Sequence, residues 1–293
     1  MSHPYASEAY ARSLGHVGEA VAVPEWGGHV LARPTPHGAA HDAMGPYPLT
    51  VMLEDADLPG GLQRLADEGM VSVVLVLDDR LRPGMAALEQ AFDFVRPFKS
   101  RFLHDRSAGP LELSKHHRYE LRRAQARVES REIALSDHLA AWQTLYGELA
   151  ARHGLGGLHD FPAAHHEALA QLPGARTFGA FIEGRLVSAH VFITHDGYAI
   201  SHLAASAVEG YETGAAYAVN DLAIAALTDC KAINFGGGSG SGDDPADGLV
   251  RFKKGFANTT APAWLCGKVL DPTAYATLSA GHGDTGFFPA YRG

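Results

Sequence analysis

The run GLVRFKKGFANTT, Gly248 to Thr260, interleaves Arg251, Lys253 and Lys254 with Phe252 and Phe256, and it follows the glycine-rich stretch INFGGGSGSGDDPAD. Glycine presents no Cβ, so such a loop lets a large ligand come close to the backbone, with Gly237 and Gly238 the candidate contacts. A lysine ammonium beside a reacting carbonyl stabilises the negative charge that develops there. A phenylalanine face can stack on a nucleobase. The same run also fits a plain amphipathic turn of helix, with its rings in the core and its cations in water.

Other chemistries find less support. The glycine stretch is followed by no Gly-Lys-Ser/Thr, and its glycines never fall into G-x-G-x-x-G spacing, so it is neither a Walker loop nor a dinucleotide fingerprint. His116-His117 and His165-His166 have no partner at metal-ligand spacing, and HHEALA lacks the second histidine of H-E-x-x-H, so no metal is expected. The only cysteines, Cys230 and Cys266, have apolar neighbours and read as core packing rather than a disulfide. No G-x-S-x-G elbow is present. Two acidic groups remain open: Asp105 in FLHD is either a catalytic acid or a strand-end turn carboxylate. Asp243, Asp244 and Asp247 are suited to capping the helix that carries Lys253.

The formal charge of the 293-residue chain is -9, but it is unevenly spread. Lys99 to Arg131 holds nine Lys or Arg against four acids, leaving 15 basic and 29 acidic groups elsewhere. In SKHHRYELRRAQARV a helical wheel sets His117, Leu121, Ala124 and Val128 on one side and Lys115, Arg118, Arg122, Arg123 and Arg127 around the other. Such a face is either simply solvated or suited to a phosphate-rich partner. No window approaches the roughly 18 apolar residues of a membrane span, and the N-terminus lacks a signal-peptide pattern. A soluble cytoplasmic protein without membrane association is expected.

The elements that would position these residues alternate in type. GHVLAR and PLTVM read as strands, GGLQRLADEG as a helix, MVSVVLVL as a buried strand and GMAALEQAF as a helix. After the basic helix come helices over SDHLAAWQTLYGELAARHG, stopped by Gly154, and DFPAAHHEALAQLPG, with Asp160 a candidate cap. TFGAFI, RLVSAHVFIT and YAISHLAAS are joined by Glu183-Gly184 and His195-Asp196-Gly197, which predicts an antiparallel meander. A helix over TGAAYAVNDLAIAALTDC leads to the strand AINF, the glycine loop, the RFKKGF helix and the strand AWLCGKVL. This order resembles the acetyltransferase-like GNAT fold, and the first part of the chain looks like a shorter copy of it. The expectation is an α/β (α+β) protein of two GNAT-like lobes, residues 1–134 and 135–293, each a mostly antiparallel mixed sheet flanked by helices.

In GNAT acetyltransferases the loop entering the helix after the meander usually begins with Arg or Gln, and holds the pyrophosphate of acetyl-CoA. The matching positions in EGYETGAAYAV are Tyr211, Gly214 and Ala216, so the leading cation is replaced by tyrosine. GPYP, HHRYELRRAQ, FGAFIEGRLVSAHVFI, INFGGG and GLVRFKKGF together resemble the Fem family of aminoacyl-tRNA-dependent transferases, over about Gly45 to Leu270. The short chain looks most like the antibiotic-pathway branch, of the pacidamycin alanyl-tRNA-dependent type. The resemblance implies transfer of an amino acid from aminoacyl-tRNA to an amine of a small peptide or peptidyl-nucleoside, with no cofactor. It implies Phe252 and Lys253 at the tRNA terminus and reacting ester and Asp105 near the acceptor; from the charge pattern and the loop comparison, Arg118, Arg122, Arg123, Arg251, Lys254 and Tyr211 are the further candidate binding residues. Two alternatives stand beside it: an acyl-CoA-dependent N-acyltransferase and a non-catalytic tRNA- or nucleotide-binding module.

Overall fold

The valine-rich run Met70–Asp78 is buried at seven of its nine positions, which requires packing on both faces of a central strand. The computed structural model, which describes residues 2–36, 38, 40–238, 247–283 and 286–293, places it between two others. The chain begins with α1 (Glu8–Ser13), β1 (Glu19–Val23), β2 (Gly28–Pro34), β3 (His41–Met44), α2 (Leu58–Asp67), β4 (Met70–Asp78), α3 (Met85–Ala91) and β5 (Phe94–Asp105). It continues with α4 (Lys115–Gln125), β6 (Glu129–Ile133), α5 (Leu139–His153), α6 (Ala163–Gln171), β7 (Ala175–Ile182), β8 (Arg185–His195) and β9 (Tyr198–Ser206). The remainder is α7 (Val208–Thr213), α8 (Ala215–Ala226), β10 (Ala232–Asn234), α9 (Gly248–Lys254), β11 (Thr259–Val269) and α10 (Pro272–Ser279).

Two compact units result, Met1–Phe98 with Pro262–Gly293, and Lys99–Ala261. In the first the strands run β1-β2-β3-β4-β11, antiparallel except for β3 and β4, which are parallel and joined through α2. Its core gathers Trp26, Leu62, Leu65, Val73, Leu75 and Leu88. In the second the strands run β5-β10-β9-β8-β7-β6, antiparallel except for β9 and β10, which are parallel and joined through α7 and α8. Phe178, Phe192, Ala218, Val219, Ile233 and Phe256 form its core. Both units thus have the expected layout of a meander, a helical crossover and a parallel strand.

The boundary between the units differs from residue 134. The strand completing each sheet comes from the segment following the other sheet's parallel strand: β5, after β4 and α3, pairs with β10, and β11, after β10 and α9, pairs with β4. The basic helix α4 packs with α8, inside the second unit. Neither arrangement is legible from local pattern, because pairing between distant segments depends on the whole sheet.

Within the second unit the meander turns are as expected: Glu183 and Gly184 have φ of 50° and 78°, Asp196 and Gly197 45° and 73°, the left-handed pairs that match strand twist. Gly154 closes α5 in the left-handed region. PLTVM, in contrast, contributes only a bridge from Thr50 to Leu77, and HDAM supplies the strand instead. Pro162, not Asp160, stands at the N-cap of α6. Within α4 His117 and Ala124 are buried and Leu121 half-buried on the expected side, while Val128, buried as well, lies past the end of the helix.

Helix α4 meets the end of α9 where only glycine fits, since a Cβ on Gly255 would lie 1.8 Å from His117 Nε2. That contact is completed by a 3.1 Å hydrogen bond between His117 Nε2 and the Phe252 carbonyl. Gly255→Ala is expected to cost about 1–3 kcal/mol of stability through overpacking. A denaturant titration checks it, and an unchanged midpoint would show that His117 can turn aside.

Candidate functional site

Helix α9 is short, and its direction is set at both ends. Asp247 caps it, its carboxylate accepting from Leu249 N at 2.8 Å. One turn of 100° per residue then sends successive side chains to different surroundings. Phe256 is fully buried, while half-buried Phe252 meets Tyr217 edge-on at 4.9 Å and Phe256 at 5.3 Å. Arg251 and Lys254 are exposed. Lys253 turns the other way, and its Nζ donates to the Gly237 carbonyl at 2.8 Å. The divergence of Lys253 from Lys254 is therefore real, and Phe252 is anchored to the core as one of its two expected roles required.

The glycines have steric reasons of their own. Buried Asn234 accepts from Gly236 N at 2.7 Å and turns the chain out of β10. Gly236 has φ of 79°, in the left-handed region. A Cβ on Gly237 would lie 2.7 Å from the Ser100 carbonyl oxygen of β5. Gly238 is half-buried. Asp243, Asp244, Gly240 and Gly242 lie outside the described residues.

The electrostatics around Lys253 were not anticipated. Burial pushes its pKa down to about 7, and the positive charges of Arg101 and Lys99 push the same way, against the smaller pull of Asp247. A Cβ placed on Gly236 would lie 3.2 Å from Lys253 Nζ and 3.7 Å from Arg101 Nη1, so both cations converge above one glycine. On β8, buried His190 places Nδ1 2.7 Å from Asn220 Oδ1. Its pKa is held down to about 4, first by burial and also by the charge of Lys253, which outweigh the Asn220 hydrogen bond. Lys99, Arg101, His190 and Asn220 are thus neighbours that sequence reading missed. The Lys-x-Arg spacing of FKSRF, which on a strand sets both cations on one face, was the available signal for two of them.

The arginines of α4 divide by environment. Arg123 pairs with Glu120 at 2.6 Å and also donates to the Glu212 carbonyl. Arg118 donates to the Leu113 carbonyl. Arg122 is exposed. Burial raises the Tyr217 phenol pKa, Glu120 adds to the shift, and Arg251 opposes it, which places these groups together beside α9. Glu120 matters for a second reason: its Oε2 stands 3.5 Å from where a Cβ on Gly214 would lie. Gly214 is the N-cap of α8, with φ of 74°, so a carboxylate stands beside the helix start, where it opposes an incoming pyrophosphate. Tyr211 lies within α7, 53% exposed, with the Arg152 guanidinium 4.5 Å above its ring.

Asp105 is not brought to Lys253. It lies four residues along β5 from Arg101, roughly 13 Å at the ordinary strand rise. Its carboxylate accepts from Ser107 N at 2.8 Å and Ser107 Oγ at 2.6 Å, and Asn258 bonds both its backbone N–H and its carbonyl. These contacts are those of a strand-end turn carboxylate. Among the described residues no group of three His, Cys, Asp or Glu is placed to hold a metal, and no helix is long and apolar enough to cross a membrane.

No protein-family model matches the chain, and no curated protein matches it in sequence. Solved structures do. The DUF2156 C-terminal domain of a putative lysylphosphatidylglycerol synthetase from Agrobacterium fabrum superposes with a TM-score of 0.63 at 14% identity, over 94% of this chain and 93% of that one. FemX gives 0.64 at 12% identity, over 94% and 95%. L-PGS from Bacillus licheniformis gives 0.58 at 12% identity, over 90% and 92%. The fold is therefore GNAT-like. These three structures share it over nearly the whole of this chain.

The depressed pKa of Lys253 has a measurable effect on stability. Below about pH 7 the lysine is charged in both folded and unfolded states, and its burial is fully unfavourable. Between there and an unfolded pKa of about 10.4 the folded state alone gives up the proton, so this contribution to stability rises with pH, and above that range the charge penalty vanishes. Lys253→Met is expected to exceed the wild type by about 1–3 kcal/mol at pH 6, with the gain shrinking toward pH 10. Denaturant titrations across pH measure it, and a gain constant with pH would refute the depressed pKa.

Proposed function

We propose that this protein is an aminoacyltransferase that moves an amino acid from aminoacyl-tRNA to the amine of a small peptide or peptidyl-nucleoside. The observation that carries the reading is Lys253: a half-buried, partly desolvated ammonium, held by the Gly237 carbonyl beside glycines that leave the backbone bare, and set apart from its exposed neighbour Lys254. An aminoacyl ester is already activated, so the protein's task is to align a neutral amine on the carbonyl and stabilise the oxyanion. In that step the amine forms the C–N bond, the ribose oxygen leaves with a proton from the attacking nitrogen, and Lys253 carries the countercharge. Phe252, half-buried against Tyr217, supports a terminal adenine on its remaining surface, and exposed Arg122, Arg251 and Lys254 supply cations for the RNA backbone.

The fold shared with FemX agrees with this reading, and so does Glu120 beside the α8 N-terminus, which disfavours a coenzyme A pyrophosphate there. Two of the superposed proteins are named for lysylphosphatidylglycerol synthesis, so the acceptor panel includes phosphatidylglycerol vesicles beside peptide and nucleoside amines. The experiment incubates the protein with radiolabelled aminoacyl-tRNA pools and that panel. Label passing to an amine supports the proposal. Label passing only to lipid would replace the acceptor, tRNA binding without label loss would leave a binding module, and micromolar binding of acetyl-CoA would favour the acyl-CoA alternative.

Lys253→Ala is expected to lower single-turnover transfer at saturation by about 10²–10³ while tRNA affinity stays near wild type. Lys254→Ala should lose far less rate, because its ammonium points elsewhere. Equal losses in both would remove the oxyanion role. On α4, Arg122→Ala should flatten the salt dependence of tRNA binding by about one unit of log slope. Filter binding at several salt concentrations reads this, and an unchanged slope returns the residue to the solvated surface.

A further inference from the structure

Lys99 and Arg101 are two residues apart on β5 and so project from the same face of that strand. Arg101 Nη1 and Lys253 Nζ both lie within 4 Å of the point where a Gly236 side chain would begin, and Lys99 Cβ lies 3.7 Å from the corresponding point of Gly237. Two cationic groups therefore meet over Gly236, and Lys99, whose stem runs beside Gly237, is near enough for its charge to act on Lys253. Their mutual repulsion shows in Lys253, whose protonated form is disfavoured by burial and then by Arg101 and Lys99, with Asp247 at the α9 cap opposing. Like charges held this close in a partly desolvated place are stabilised by an anion that bonds to all of them, and a phosphate offers the tetrahedral oxygens that guanidinium and ammonium groups engage together.

We propose that Lys99, Arg101 and Lys253, over Gly236 and Gly237, form a seat for a phosphate group. Its occupant is the phosphodiester on the 5′ side of the esterified nucleoside. The assignment of that occupant rests on the aminoacyl-tRNA reading, whereas the seat itself does not. A phosphate on the acceptor offers the same chemistry, and the two sources are separable. Arg101 and Lys99 would then hold the donor terminus while Lys253, at the edge of the seat, reaches the neighbouring ester. Gly236 and Gly237 are required because a Cβ on either would intrude on the cations or on β5.

The test is calorimetric and independent of turnover. The intact protein is titrated at low salt with adenosine, adenosine 5′-monophosphate and inorganic pyrophosphate. The monophosphate is expected to bind at least about tenfold more tightly than adenosine, each charge-assisted contact being worth roughly that factor. That ratio should fall toward one in Arg101→Gln and in Lys99→Gln, two variants that keep the proposal testable if one misfolds. Lys231→Ala, which removes an exposed cation elsewhere in the same unit, should leave the ratio intact. Equal binding of adenosine and its monophosphate, with pyrophosphate binding unchanged in both variants, would overturn the seat. Pyrophosphate binding that is lost in both variants, without any gain for the monophosphate, would keep the seat and overturn the donor assignment in favour of an acceptor phosphate. Failure of aminoacyl-tRNA turnover alongside an intact phosphate ratio would sink the parent reading and not the seat.

Discussion

An ammonium taken out of water costs several kcal/mol unless fixed dipoles or counter-charges replace the lost hydration. Lys253 sits under that constraint, and much of the second unit is arranged around it. The Gly237 carbonyl takes its proton at 2.8 Å, but a single neutral acceptor is a poor substitute for water, and the depressed pKa records the shortfall. The chain must leave β10 in a left-handed turn at Gly236, fixed by Asn234, for that carbonyl to face α9. It must then run close along β5 at Gly237, where a side chain would strike Ser100. Helix α9 has to be rotated so that Phe256 is buried and Lys253 meets the loop, and the 100° step of the helix links those two requirements.

Helix α4 supplies the rest of the restraint. It is strongly cationic in sequence, yet two of its arginines are tied to nearby backbone carbonyls, one of them also to Glu120, and its buried face carries His117 into the end of α9. His117 links Ser114 and Phe252, and burial lowers its pKa, so it holds the contact as a neutral ring. The helix that would meet a polyanion therefore also fixes the helix that carries Lys253. Through Glu120 it sets a carboxylate beside the start of α8.

A GNAT-like fold hosts many acyl transfers, and the fold by itself selects none of them. What selects is the local chemistry: a partly desolvated lysine among other cations, glycines that keep the backbone approachable, and an aromatic edge at the helix.

The sequence by itself determined the elements whose signals are local. The meander followed from two turn dipeptides, the buried strand β4 from its valine run, α4 and α5 from apolar spacing, and the divergence of Lys253 from Lys254 from helix geometry alone. The α/β, mostly antiparallel character of both sheets followed from the order of these elements. Strands β1, β3 and β6 were not foreseen: β1 and β3 are short and pair with adjacent β2, whereas β6, like β5, gains its hydrogen bonds from a segment distant in sequence. Only the tertiary structure decided that β5 and β11 pair where they do and that the compact units are divided near residues 98 and 261. It also decided that Arg101 meets Lys253 over Gly236 and that Lys99 and His190 lie within reach of its charge. The reason is the same in each case: periodicity fixes which way a side chain points from its own element, whereas the register between strands and the docking of helices fix what it meets there.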